Sequence, residues 1–146
     1  DHSTTAAPIL ERHERGGVFC VNTGRLGKPG YLTLDQCREL QARGHAIESH
    51  SREHKRLTTL SPGLLHRHLA DSRRELKAAA LCRWDFLAPP GGDVDSATAQ
   101  AARAEGYSLL RTLAWGYNRK VDGLAIESIT INRRTAGWGC PASRPR

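Results

Sequence analysis

Short apolar runs alternate with segments of helical periodicity along this chain, and that alternation limits the fold more than any other feature. The runs are "VFCVN", "AIES", "WDFLA", "YSLLRT" and "LAIESITIN", the last with Ile126, Ile129 and Ile131 as its apolar residues. Brief apolar runs bounded by turn residues predict buried strands. "TTAAPILERHER" predicts a helix before the first of them, capped by Ser3 or Thr4 and ended by Gly16-Gly17. "TLDQCRELQARG" predicts a second, with Thr33 as cap, Leu34, Cys37 and Leu40 on one face and Gly44 as stop. "SPGLLHRHLADSRRELKAAAL" is the longest. Ser61 caps it, Pro62 takes its first position, and Leu65, Leu69, Leu76 and Ala80 form its stripe. "DSATAQAARAEG" predicts a further helix closed by Gly106. Strand–helix alternation at this spacing argues for an α/β fold with a parallel sheet, open or barrel-like.

A chain of 146 residues is one ordinary domain. Its apolar residues, 38% of the total, are clustered enough for a core. The expected partition is a folded domain over 1–134 and a loose basic tail from Thr135 to Arg146. No apolar run approaches the roughly 18 residues of a membrane span, and no signal segment opens the chain. A leader can be removed, so cytoplasmic and exported locations both stay open, as does the oligomeric state. The net charge is +7. Its basic residues are spread along the chain and often neighbour acids, as in "HLADSRREL", so no specific nucleic-acid surface is expected. Cys20, Cys37, Cys82 and Cys140 show no metal or disulfide spacing and are expected as free thiols, Cys20 as a small buried hydrophobe.

In parallel α/β folds the working residues gather beyond the carboxyl ends of the strands. Asn22-Thr23, Ser49 to His54, Pro89 to Gly92 and Thr112 to Asn118 all follow a predicted strand. His2, His13, His66 and His68 do not, and read as solvated helix residues. Within the second group, His50 and His54 stand four apart, which on a helix makes them neighbours able to chelate one divalent ion. Alone, that spacing is a weak signal. Their place after a strand strengthens it, as does Ser51, whose hydroxyl can brace a loop. A catalytic zinc takes about three protein ligands plus water, so a third ligand must come from elsewhere. Asn22 and Thr23 either end a strand or line a pocket mouth. Pro89, Pro90, Gly91 and Gly92 either make a tight turn, with Gly91 or Gly92 at positive φ, or let backbone approach a substrate. Trp115 and Tyr117 either stack on a sugar ring or pack a loop.

The stretch "GHAIESHSREHKRLTTLS" resembles the second motif of the polysaccharide deacetylases, the NodB-homology domain of carbohydrate esterase family 4, which runs G-x-x-I-x-S-H-[ST]-x-x-H-x-x-L. "APILERHERGGVFCVNTGRLGKPGYLTLDQCREL" resembles the segment between that family's first and second motifs. "FLAPPGGDVDSATAQAARAEGYSLLRT" resembles its third-motif segment. The resemblance covers about residues 1 to 131 and implies a deformed parallel (β/α) barrel carrying a metal-dependent N-deacetylase. It implies His50 and His54 as ligands of a divalent metal, usually zinc, and an N-acetylated glycan as substrate. In the functional reading of the loops that follow the strands, the expected substrate face includes Asn22, Thr23, Pro90, Gly91, Gly92, Trp115 and Tyr117. In the family's chemistry the ion activates water and polarises the acetamide carbonyl, an aspartate takes the proton, and a histidine protonates the leaving amine.

The chain also departs from the pattern. The family's Asp-Asp-Gly motif, which supplies the third ligand and the base, has no counterpart, and Asp1 aligns with a later, non-catalytic aspartate. The expectation is a fragment lacking the first strand, in preference to a product that has lost its carboxylates. Leu87 and Ala88 occupy the candidate positions of an orienting arginine, and no histidine follows His68 to serve as the acid. The catalytic base and acid are therefore unassigned. Two alternatives to the enzyme remain: a catalytically incomplete carbohydrate-binding domain of the same fold, and a basic module for acidic polymers.

Overall fold

Parallel pairing joins the strands in chain order. The computed structural model describes residues 2–118 and 124–128. Strands β1 (Val18–Val21), β2 (Ala46–Ser49), β3 (Phe86–Leu87), β4 (Leu109–Trp115) and β5 (Ala125–Ser128) form one sheet in the order β1-β2-β3-β4-β5. Every neighbouring pair is parallel. A doubly wound sheet reverses its strand order at a switch point, whereas a barrel winds steadily in one direction. The steady order here is that of a barrel, left open among the described residues. Asp1, Ile129, Ile131, Cys140 and the tail from Thr135 lie outside those residues.

Steady winding puts the connecting helices on one side of the sheet. Phe19, Val21 and Ile47 pack outward against Ala7 of α1 (Ala7–Arg12), Cys37 and Leu40 of α2 (Leu34–Ala42) and Leu76 of α3 (Pro62–Ala78). Leu87 and Leu110 pack against Leu65 and Leu69 of α3 and Ala101 and Ala102 of α4 (Ser96–Ala104). Leu40, Ile47, Leu69, Leu76, Leu87 and Leu110 are fully buried. Each such side chain contributes about 1.5–3 kcal/mol. Thr33 caps α2 through a complete capping box with Gln36, and Gly44 takes φ +90 just beyond the helix.

Alternation turns Cys20, Glu48 and Arg111 to the other side of the sheet. Glu48 is wholly buried there. Its carboxylate accepts from the amides of Trp84 (2.8 Å) and Phe86 (3.0 Å) and from the Cys82 thiol (3.2 Å). β3 is only two residues long, so this carboxylate replaces ladder bonds that β3 is too short to make. On the helix side Ser49 Oγ meets Ser72 Oγ at 2.8 Å, and the Tyr107 hydroxyl lies 3.0 Å from Ser49 Oγ and 3.1 Å from the Leu69 carbonyl. β2 thus ends in a buried hydroxyl cluster.

Several elements differ from expectation. Ser3 and Thr4 lie inside a π-helical turn, His2–Ala6, that runs into α1, so neither caps it. α1 stops at Arg12, and Glu14 at φ +55 reverses the chain before Gly16-Gly17 is reached. Ser61 precedes α3 in extended conformation without a side-chain cap bond. Ala80 leaves the α3 stripe, since the helix ends at Ala78 and Ala80 turns left-handed at φ +57. His68 and Ser72 take places on the buried face instead, so His68 is not a solvated residue. Leu34 is 41% exposed, on the first turn of α2 and outside its packed face. "WDFLA" contributes only Phe86–Leu87, because Asp85 sits at φ +51, held by Arg73 and Lys77. Cys20, Cys37 and Cys82 are free thiols, Cys20 only partly buried.

Two expected outcomes follow from these buried polar groups. Glu48→Gln faces three donors with an amide that accepts through one oxygen only. It is expected to cost about 1–3 kcal/mol, read as a lower urea midpoint at unchanged slope. His68 Nδ1 has no partner among the described residues, and burial, the main cause, holds the imidazole below its ordinary 6.5. The unfolded chain therefore binds this proton at a higher pH than the folded one does. The stability involved is intact above about 6.5 and falls as pH drops below it. Melting temperature followed from neutral to about pH 5 should decline, and His68→Leu should make that decline shallower.

Candidate metal centre

The loop after β2 is braced by the loop after β1. His50 N donates to the Val21 carbonyl (2.8 Å), extending the ladder one residue past the strand. Ser51 then takes φ +64, a left-handed turn unusual for serine, and its amide donates to Ser49 Oγ (3.0 Å). Thr23 N donates to the Ser51 carbonyl (3.3 Å) and Gly24 N to the Arg52 carbonyl (2.9 Å). A Cβ at Gly24 would stand 2.9 Å from that carbonyl, so only glycine permits the approach. The Asn22 side-chain amide donates to the His50 carbonyl.

This turn, and not a helix, brings the two imidazoles together. Residues 50–56 hold no helical element, yet the His50 and His54 ring centroids are 5.0 Å apart with planes at 61°. His50 Nδ1 is bonded to the Ala88 carbonyl. A carbonyl only accepts, which assigns the proton to Nδ1 and leaves the Nε2 lone pair free. A metal-binding imidazole is commonly oriented in this way by its second nitrogen. Burial holds His50 below its ordinary 6.5; the Ala88 bond opposes this, and the charges of His54, Arg111 and His2 add to it. The ring is thus neutral near pH 7, the form that ligates.

The third-motif loop completes the support. Ala88 N donates to the Ser49 carbonyl (2.9 Å), and Gly92 N to Pro89 (2.9 Å). Gly91 and Gly92 both have positive φ, +77 and +71, and a Cβ at Gly92 would fall 2.2 Å from Leu113 Cγ. Arg56, two residues beyond His54, pairs with Asp93 at 3.0 Å and ties the two loops.

A cavity of about 570 Å³ opens over the histidines, lined by His2, Cys20, Asn22, Tyr31, Gln36, His50 and His54 among others. Of the residues expected on the substrate face, Asn22 lines it. Thr23 turns instead into a neighbouring cavity with Leu26, Arg38 and Glu75. Pro90, Gly91 and Gly92 support the loop without lining the histidine cavity. Trp115 lies within β4, not beyond it, because the strand runs on past Thr112; Trp115 and Tyr117 are 58% and 56% exposed and line neither cavity. His2 is exposed yet faces the histidines' cavity, and a search confined to residues after strands misses it. Tyr31 sits in the segment between β1 and α2, where that search could have reached it.

The donor set fits a divalent ion in part. Two imidazoles are in place, but among the described residues no group of three His, Cys, Asp or Glu side chains gathers as a metal site. Cys20 cannot easily complete it. Burial above all, with the Glu48 charge adding, pushes its thiol up to about 12, and a thiol is a far poorer ligand than a thiolate.

The family described as polysaccharide deacetylase matches residues 1–110. YxkH of Bacillus subtilis (strain 168) is 24% identical over 138 residues, 94% of this chain and 50% of that protein. The chain therefore spans about half the length of that curated relative. The deacetylase PplD of Streptococcus pyogenes, solved with acetate, superposes with a TM-score of 0.82 at 27% identity, over 90% of this chain and 59% of that one. IcaB from Ammonifex degensii superposes with a TM-score of 0.78 at 22% identity, over 89% and 62% respectively. A parallel sheet wound in one direction, a histidine pair after its second strand and a family match over three-quarters of its length together place this chain in the polysaccharide deacetylase family.

Proposed function

We propose that this chain carries the metal-binding face of a hydrolase that removes N-acetyl groups from a polysaccharide or surface glycan. The observation that carries this reading is the His50–His54 pair, with His50 locked by Ala88 in the tautomer that leaves Nε2 free. His50 and His54 would hold a divalent ion, and zinc is the natural first choice for imidazole donors, with cobalt or nickel compatible. When bound, such an ion activates water and polarises an acetamide carbonyl.

The chain's own residues do the positioning. Asn22 fixes the His50 carbonyl and therefore the backbone from which the first imidazole projects. Ser51 supplies the reversal that returns His54 to the same side. Cys20, Val21 and Leu32 give the cavity an apolar share of its wall, suited to the methyl of an acetyl group. Pro90, Gly91 and Gly92 set the Ala88 carbonyl by fixing the turn after it. The proton-transfer groups stay unassigned. No helix among the described residues is long and apolar enough to cross a membrane.

The second reading is a carbohydrate-binding domain of the same fold without chemistry, favoured by the lack of a third ligand among the described residues. Zinc titration of the metal-stripped protein separates these readings from error. His50→Ala and His54→Ala should each weaken zinc binding by at least about tenfold, in line with the cost of losing a metal's support. Unchanged zinc stoichiometry and affinity in both variants would show that these are not the ligands. Acetate release from an N-acetylglucosamine oligomer, abolished by chelator and restored by zinc, is the expected mark of the enzyme. Zinc and oligomer binding without acetate release would decide for the binding domain.

A further inference from the structure

Tyr31 lines the cavity that holds the histidines, and Arg25, outside that lining, is bonded to it. The Arg25 guanidinium donates to the Tyr31 hydroxyl at 2.7 Å and lies 5.3 Å from the centre of its ring. Tyr31 is 43% exposed and lines the cavity together with Gly30, Leu32, Gln36, His50 and His54. Its segment is held by Gly27 N to the Leu32 carbonyl (2.8 Å) and Tyr31 N to the Lys28 carbonyl (3.0 Å). An aromatic ring presented so, fixed at its hydroxyl and half bare, has little ordering entropy left to lose on binding. The Tyr31 hydroxyl accepts from Arg25 and retains its own proton to give to a ligand oxygen.

The charge of the cavity sets what it accepts. Among the described residues none that lines it is Asp, Glu or Lys, and three are histidines. Arg25 makes no ion pair with a carboxylate among the described residues, in contrast to Arg43, Arg52, Arg56 and Arg73, all of which do. A guanidinium beside an exposed ring, with no carboxylate partner among the described residues, repels a cation and tolerates a neutral or hydroxyl-rich group.

We propose that Tyr31 and Arg25 form a subsite for a pyranose ring next to the sugar being processed, and that the subsite accepts that neighbour with its N-acetyl group intact and rejects it as a free amine. The ring stacks on Tyr31 while Arg25 holds the platform and supplies the charge discrimination. This rests on the glycan reading above and adds the substrate's pattern to it: a stretch of sugars still acetylated beside the reacting one.

The probes are the N-acetylglucosamine tetramer and the glucosamine tetramer, titrated by calorimetry into the full chain, with and without zinc, below the pKa of the sugar amine. The wild-type protein should bind the acetylated tetramer and discriminate against the amine form. Tyr31→Ala should weaken the acetylated tetramer about five- to tenfold, the scale of one aromatic contact, while Tyr31→Phe, which keeps the ring, should lose about threefold or less. Arg25→Gln should narrow the preference for the acetylated over the amine tetramer. Equal binding of the two tetramers by wild type, no binding of either, or an unchanged affinity in Tyr31→Ala overturns the subsite, as does an unchanged preference in Arg25→Gln. Zinc affinity, measured on the same samples, should be untouched in all three variants. Its failure in wild type alongside retained tetramer binding removes the metal reading and leaves the subsite standing.

Discussion

Strand β2 has no exposed residue, and both of its faces have to be satisfied at once. Toward the helices it offers Ile47 to the core and Ser49 to a hydroxyl cluster. Toward the other face it offers Glu48, whose charge is balanced by amide and thiol donors at the start of β3. A carboxylate removed from water is costly unless such donors are fixed around it. Those donors are fixed only if β3 begins where it does, and that start sets where Ala88 presents its carbonyl. The tautomer of His50 is therefore set, through a short chain of bonds, by how the interior of β2 is satisfied.

The same strand explains which parts of the molecule were legible in the sequence. "AIES" marks a strand because it is apolar and short, and its position marks His50 and His54 as candidates. Alternation of element types predicts the parallel sheet but leaves it open or barrel-like, and the barrel is what the family resemblance implies. The direction of Glu48 does not, because a strand buried on both faces has no polar side to identify. The buried place of His68 is hidden in the sequence for a related reason. A stripe of leucines reveals the buried face of α3, but a histidine and a serine that belong to the same face carry no apolar signal. Neither spacing nor propensity shows that the histidines meet through a left-handed serine. A non-glycine residue in that region is held by its surroundings, here Ser49 Oγ and Thr23 N.

The basic excess also takes on a local meaning. Arg43, Arg52, Arg56, Arg73 and Arg74 each lie against a carboxylate. Exposed pairs of this kind contribute at most about 1 kcal/mol each. Their effect lies more in holding loops, as Arg56 does between the histidine loop and the proline-glycine turn. Arg25 differs in facing an aromatic hydroxyl, that of Tyr31.

Strand order that follows chain order has a consequence for how the molecule is made. Each new β-strand docks beside the one synthesised just before it, and each helix covers the seam between them. None of the five described strands has to wait for a partner from the far end of the chain, so pairing closes the shorter loops first. The sheet can accrete at its growing edge as the polypeptide leaves the ribosome, with the histidine loop already seated between β1 and β3 before the later strands exist.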